Sequence, residues 1–114
     1  MLADEGRIGG HFFLPEACVR EMTACEADYG TLSPTLHYGL GLLIIQDSDL
    51  SERRIIGHQG YAYGCADGAF MEEGTGRQVV FLNGGCSEAR AGRLGLCNRD
   101  ILHWALKEEF PLWK

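Results

Sequence analysis

The sequence predicts an α+β domain, an antiparallel sheet of three to five strands with an N-terminal helix and a C-terminal helix, the latter on one face. Three observations carry that expectation. Short apolar runs rich in Leu, Ile and Val recur at residues 40–45, 55–56 and 79–82. The segment Glu73-Gly74-Thr75-Gly76 has the glycines that a hairpin turn needs. Helix-start signals stand near both ends, Pro15-Glu16 ahead of one apolar stripe and Asn98 with Asp100 ahead of another.

Taken in order, the first helix opens at residues 14–16, with Pro15 at the first helical position, where its missing N–H costs nothing, and Glu16 in the first turn. It is expected to run to about Cys25. Residues 29–34 form a linker whose Gly30 and Ser33-Pro34 act as breakers. Residues 37–46 are expected as one strand. From Leu40 onward it shows no polar alternation, which implies cover on both faces. Residues 47–52 are a solvated turn, and residues 53–57 return as the strand that carries His58 at its end. After a glycine-rich turn, residues 67–72 and 77–83 form a hairpin. The last helix starts at Asn98 as N-cap, presents Ile101, Leu102, Ala105 and Leu106 as one stripe, and ends at Pro111. No internal repeat or low-complexity segment occurs, and residues 1–114 read as a single domain.

Charge and cysteines narrow the function classes. With 16 Asp and Glu against 10 Lys and Arg, the net charge of −6 argues against nucleic acid and anionic membranes as partners. The apolar run at 40–45 is too short to span a bilayer. The acidic start Met1-Leu2-Ala3-Asp4-Glu5 is unlike a signal peptide, so the cytoplasm is expected if this is the complete chain. Five cysteines are an odd count with no Cys-x-x-Cys spacing. Cys18 and Cys25 share a helical stripe with Met22 but are two turns apart, roughly 10 Å of rise, beyond disulfide reach. They are expected as buried thiols, whereas Cys86 and Cys97 flank a loop and can meet. No metal or cofactor is expected.

The stretch Ile55-Ile56-Gly57-His58-Gln59-Gly60-Tyr61-Ala62-Tyr63-Gly64 places a His-x-Gly triplet after a β-branched run. An extended ligand can pair with such a strand while the imidazole reaches one of its polar groups. Upstream lies Tyr38-Gly39-Leu40-Gly41-Leu42, and downstream lies Val79-Val80-Phe81-Leu82-Asn83-Gly84. In this order and spacing the motifs resemble the C-terminal part of the penicillin-recognising serine hydrolases, which include class C β-lactamases, D-amino-acid peptidases and related esterases. The likeness covers most of the chain to about residue 108, and residues 6–16 are similar to the family's stretch after its second motif. The family also requires Ser-x-x-Lys and Tyr-x-Asn or Ser-x-Asn. Neither is present: Ser33, Ser48, Ser51 and Ser87 have no lysine three residues on.

The resemblance implies a partial β-lactamase-like fold and a substrate-binding set of His58, Gln59, Gly60 and Tyr61, with the Tyr61 N–H as the second oxyanion-hole donor. Tyr63 reads as packing at the rim of that site. His11, His37 and His103 share no ligand spacing with His58, and His103 reads as a structural histidine. Glu72-Glu73 reads as solvated surface. Gly84-Gly85-Cys86-Ser87 has no base placed beside it.

Two functions of different class follow. One is the C-terminal fragment of a serine hydrolase that cleaves a peptide, amide or ester by acyl transfer, silent without its catalytic serine and lysine. The other is a non-catalytic binding or oligomeric module derived from that fold. The expected partners are a second copy of the chain or the missing N-terminal half, with a small peptide or ester as ligand. A homodimer is expected because the apolar strands at 40–45 and 79–82 present side chains to both faces of the sheet.

Overall fold

The structure, a computed structural model, describes residues 1–28 and 35–107. It is α+β. A small antiparallel pair, β1 (Arg7–Ile8) and β2 (His11–Phe12), precedes α1 (Glu16–Thr23). The main sheet follows as β3 (Ala27–Asp28), β4 (Thr35–Tyr38), β5 (Leu43–Gln46), β6 (Ile55–Ala62), β7 (Cys65–Glu72) and β8 (Gln78–Phe81). A second small pair, β9 (Arg90–Ala91) and β10 (Leu94–Gly95), leads into α2 (Leu96–Lys107). The main sheet is antiparallel throughout and its spatial order is its chain order, β3 to β8. Five of its strands have four residues or more, and the two-residue β3 extends one edge.

Several boundaries differ from the sequence reading. The expected strand at 37–46 is a hairpin, β4 and β5, because Gly39 and Gly41 reverse the chain; Gly41 has φ +73° and the Gly39 N–H donates to the Leu42 carbonyl. The last helix begins two residues before Asn98, which is fully buried inside it and is not its cap. Pro15 caps α1 and does not sit within it. In the turn at 47–52, Leu50 and Ser51 are buried. The linker at 29–34 and the stop at Pro111 lie outside the described residues.

The core follows from the period of two along each strand. Leu36, Leu43, Ile45, Ile55 and Phe70 face Leu94 and the Leu102 and Leu106 stripe of α2 in one cluster with Leu50. Each fully buried Leu or Ile contributes about 1.5–3 kcal/mol relative to exposure. The residues between them, Ile44 and Ile56, are paired across β5 and β6 and are also buried. Here the cover is the N-terminal segment and α1: Ala3, Val19 and Thr23 line one cavity with Ile56 and Met71. Both faces of β5 are therefore covered within one chain, so β5 gives no reason for a dimer. At β8 the expectation of an uncovered face does hold, with Val80 71% exposed and Leu82, just beyond the strand, 85% exposed.

Charged clamps hold the layers in register. The C-terminal carbonyls of α1 are occupied by neighbours: Met22 accepts from the Leu40 N–H, and Thr23 accepts from Arg54 Nη1 at 3.0 Å. Arg54 also grips Glu73 through two bonds, 2.8 and 2.6 Å, which holds the Glu73 carboxyl below its ordinary pKa. Glu72 is 3% exposed, contrary to its reading as solvated surface. Its carboxylate is needed inside because it closes a network of Ser51, Thr75 and Arg77, and Arg77 also bonds the Leu106 carbonyl of α2.

Candidate functional site

The region of interest is the C-terminal half of β6. Pairing with β5 stops at Gly57, opposite Leu43, whereas pairing with β7 continues to Ala62, opposite Cys65. Beyond His58 no other main-sheet strand among the described residues pairs with β6 on the β5 side. His58 thus lies within a central strand where that strand becomes a local edge. The expectation that it ends its strand is corrected, because β6 continues for four more residues through Ala62.

Backbone directions follow from the turn. Ala62 and Cys65 flank a two-residue hairpin turn, Tyr63-Gly64, with φ +54° and +74°, and such flanking residues exchange both backbone bonds. Alternation along an antiparallel pair makes Tyr61 and Ala66 a non-bonded pair, so the Tyr61 N–H and C=O turn away from β7. The Ala66 N–H agrees with this, donating to the Asn83 carbonyl on the far side of β7. Two residues earlier, the Gln59 carbonyl is on the same open side, where it accepts from His58 Nδ1 at 2.8 Å. A carbonyl only accepts, so Nδ1 carries the proton in this bond, and Nε2 is left toward solvent and ligand.

The four predicted site residues divide by face. His58 is exposed and borders a cavity of about 430 Å3 shared with Leu2, Leu42, Ile56, Ala69 and Val80; the Tyr38 ring meets it edge-on at 6.4 Å. Gly60 is exposed, opposite Asp67. Gln59 and Tyr61 point their side chains to the α2 face. There Gln59 Nε2 donates to the Arg93 carbonyl, Gln59 Oε1 accepts from Gly95 N–H and Asn98 Nδ2, and Tyr61 OH donates to the Ala89 carbonyl. Arg90 lies over the Tyr61 ring at 4.7 Å. These two side chains hold residues 89–98 against the sheet.

Tyr63 is not packed at a rim. It is 99% exposed at the hairpin tip and takes a positive φ that costs a non-glycine residue about 1 kcal/mol or more. No described serine has a general base that can activate it. The Ser51 hydroxyl is buried against Glu72, whose carboxyl is held at about 2 by Arg77 first and then by Ser51 and Thr75, and so is a poor proton acceptor. Ser87 Oγ accepts the Ala89 N–H. His11 and His103 are exposed. No three His, Cys, Asp or Glu side chains among the described residues are grouped to hold a metal.

The cysteines also depart from expectation. Cys18, Cys25 and Cys65 are exposed, so the reading of Cys18 and Cys25 as buried thiols is corrected: α1 turns only Val19 fully inward. Cys86 and Cys97 do meet, with their sulfurs 3.5 Å apart. Compared with family models, with curated proteins and with solved structures, the chain matches none.

Proposed function

We propose that the chain is the C-terminal part of a β-lactamase-like serine hydrolase, carrying the strand on which a peptide, amide or ester substrate lies, and that it is catalytically silent by itself. The observation that supports this best is the Tyr61 peptide group, turned to the open side of β6 with the His58 imidazole three residues upstream. An extended ligand laid along Gln59 to Ala62 can bond to that backbone as an added strand, with polar contact from His58. In the intact enzyme the Tyr61 N–H would serve as one oxyanion donor, and removing one such donor costs about 3–4 kcal/mol of transition-state stabilisation in enzymes that use one. The nucleophile and its lysine would come from the preceding half. The β8 edge, with Val80 and Leu82 exposed, is the surface at which that half or a second copy of the chain would add.

The test is a titration of isotopically labelled chain with an N-acylated D-alanyl-D-alanine peptide, followed by amide NMR. Shifts concentrated at residues 58–62 are the expected result. Absence of any shift there at millimolar peptide overturns the reading of β6 as a ligand strand. Sequencing the genomic DNA upstream separates the two function classes: a Ser-x-x-Lys and a Tyr-x-Asn before Met1 support the hydrolase, and their absence leaves a binding module.

A further inference from the structure

We propose that Cys86 and Cys97 form a reversible dithiol–disulfide pair, a modification site beside the N-terminus of α2, with Cys97 as the attacking sulfur and Cys86 as the resolving one. The two residues are eleven positions apart in sequence, on the loop after β8 and in the first turn of α2, yet their sulfurs are in contact at 3.5 Å. A disulfide bond of about 2.05 Å requires an approach of about 1.5 Å, within the reach of side-chain rotation. Among the described residues no other two cysteine sulfurs are hydrogen-bonded to each other.

The pair is asymmetric. Cys97 Sγ accepts from Asn83 Nδ2 at 3.2 Å and faces the Cys86 thiol as a second donor. Both contacts place a donor on the Cys97 sulfur, which sits in the first turn of the twelve-residue α2, whereas Cys86 is the donor of the pair. For Cys86 the same contact acts in reverse: it loses its bond to Cys97 on ionising, and this pushes its thiol pKa up. Both sulfurs line a cavity of about 430 Å3 whose other walls include Leu96, Ile101 and Trp104, with Ser87 and Asp100 as polar members. A small oxidant can therefore reach Cys97, while the apolar walls limit hydration of the sulfur.

With a hydroperoxide as oxidant, the Cys97 thiolate attacks one peroxide oxygen and the O–O bond breaks. The departing alkoxide or hydroxide takes up the proton that Cys97 released, leaving a sulfenic acid. The Cys86 sulfur then attacks Cys97 Sγ, the S–O bond breaks, and the hydroxide leaves with the Cys86 proton as water. In sum, two thiols lose two electrons and two protons, and the peroxide is reduced to an alcohol or water plus water. The bond would fasten the loop after β8 to α2. That loop already holds the β6–β7 hairpin tip, through Cys86 N–H to the Gly64 carbonyl at 2.7 Å, so the modification borders the candidate strand.

The test treats the fully reduced chain with a small excess of hydrogen peroxide, blocks remaining thiols with an alkylating reagent, and maps the peptides by mass spectrometry. The expected product is a single cross-link between Cys86 and Cys97, reversed by dithiothreitol, with Cys18, Cys25 and Cys65 alkylated. Cys86→Ser should accumulate a sulfenic acid at Cys97 that dimedone traps. Cys97→Ser should slow oxidation of Cys86 about tenfold or more relative to the natural chain. A cross-link of either residue to Cys65, equal oxidation of all five cysteines, or dimedone capture at Cys86 in preference to Cys97 overturns the proposal.

Discussion

Replacing Glu72 with Gln should cost this fold about 2–3 kcal/mol at neutral pH, and the cost should fade in acid. The carboxylate is almost wholly buried and accepts four bonds: Ser51 Oγ and Thr75 Oγ1 at 2.6 Å each, and Arg77 Nε and Nη2 at 3.0 Å each. A Gln amide keeps one acceptor and turns an NH2 toward donors, so at least one Arg77 bond is lost with the charge. The depression from 4.5 to about 2 sets an upper limit near 3.4 kcal/mol, and the half-exposed Arg77 side chain lowers it through screening. Because the folded-state pKa is depressed, the contribution is complete above about pH 4.5 and is lost as pH falls through about 2. At pH 3 less than half should remain. Urea unfolding of both proteins, followed by tryptophan fluorescence at pH 7, 4 and 3, measures the difference directly, and the melting temperature at pH 7 should drop by about 10 °C. A difference under about 0.5 kcal/mol at pH 7, or one that stays constant down to pH 3, would refute the electrostatic account of this network.

Other perturbations separate site from scaffold. Gly57→Ala should destabilise by about 3 kcal/mol or more, since a Cβ there would lie 2.0 Å from the Ala69 carbonyl oxygen, whereas Gly60→Ala meets only the Asp67 side chain at 3.2 Å and should melt within a few degrees of the natural chain. His58→Ala should change stability by less than about 0.5 kcal/mol while weakening the peptide-induced shifts at Tyr61; a large loss of stability would make the imidazole structural. Light scattering after size exclusion should find a dimer at micromolar concentration that Val80→Lys with Leu82→Lys returns to monomer, and a monomeric natural chain rejects the β8 edge as the contact. Neither a chromogenic β-lactam nor a nitrophenyl ester should be hydrolysed above buffer, and a stoichiometric burst on any serine would contradict catalytic silence.

The fold class and most elements were legible because they rest on local pattern. The hairpin at residues 67–83, the α2 stripe of Leu102 and Leu106, and the return strand before His58 all follow from period and turn residues. What was not legible depends on partners far away in sequence. Leu43, Ile44 and Ile45 do ask for cover on both faces, yet only the tertiary structure shows that α1 and the N-terminal segment supply the second layer. Glu72 next to Glu73 in a glycine-rich turn has the look of solvated surface, and nothing local announces that Ser51, twenty-one positions earlier, closes its network. Asn98 misled in the same way. Its type suits a cap, but its side chain is drawn inside by Gln59 across 39 positions.

The candidate site shows the same limit within one strand. A motif reading assigns Gln59 and Tyr61 to ligand along with His58 and Gly60, but a period of two sends their side chains to the opposite face, where they fasten residues 89–98. Their backbone groups are not governed by that face. Main-chain N–H and C=O lie in the plane of the sheet, so Tyr61 can hold the scaffold with its phenol and still offer its peptide group to the open side of β6. A residue of this kind answers differently to different changes: loss of the hydroxyl in Tyr61→Phe releases the Ala89 carbonyl, while the Tyr61 N–H needed by an added strand is untouched. Side-chain mutagenesis alone would score such a residue as structural and miss the part of it that faces the ligand, which is why the decisive measurement for this chain is made on its amides.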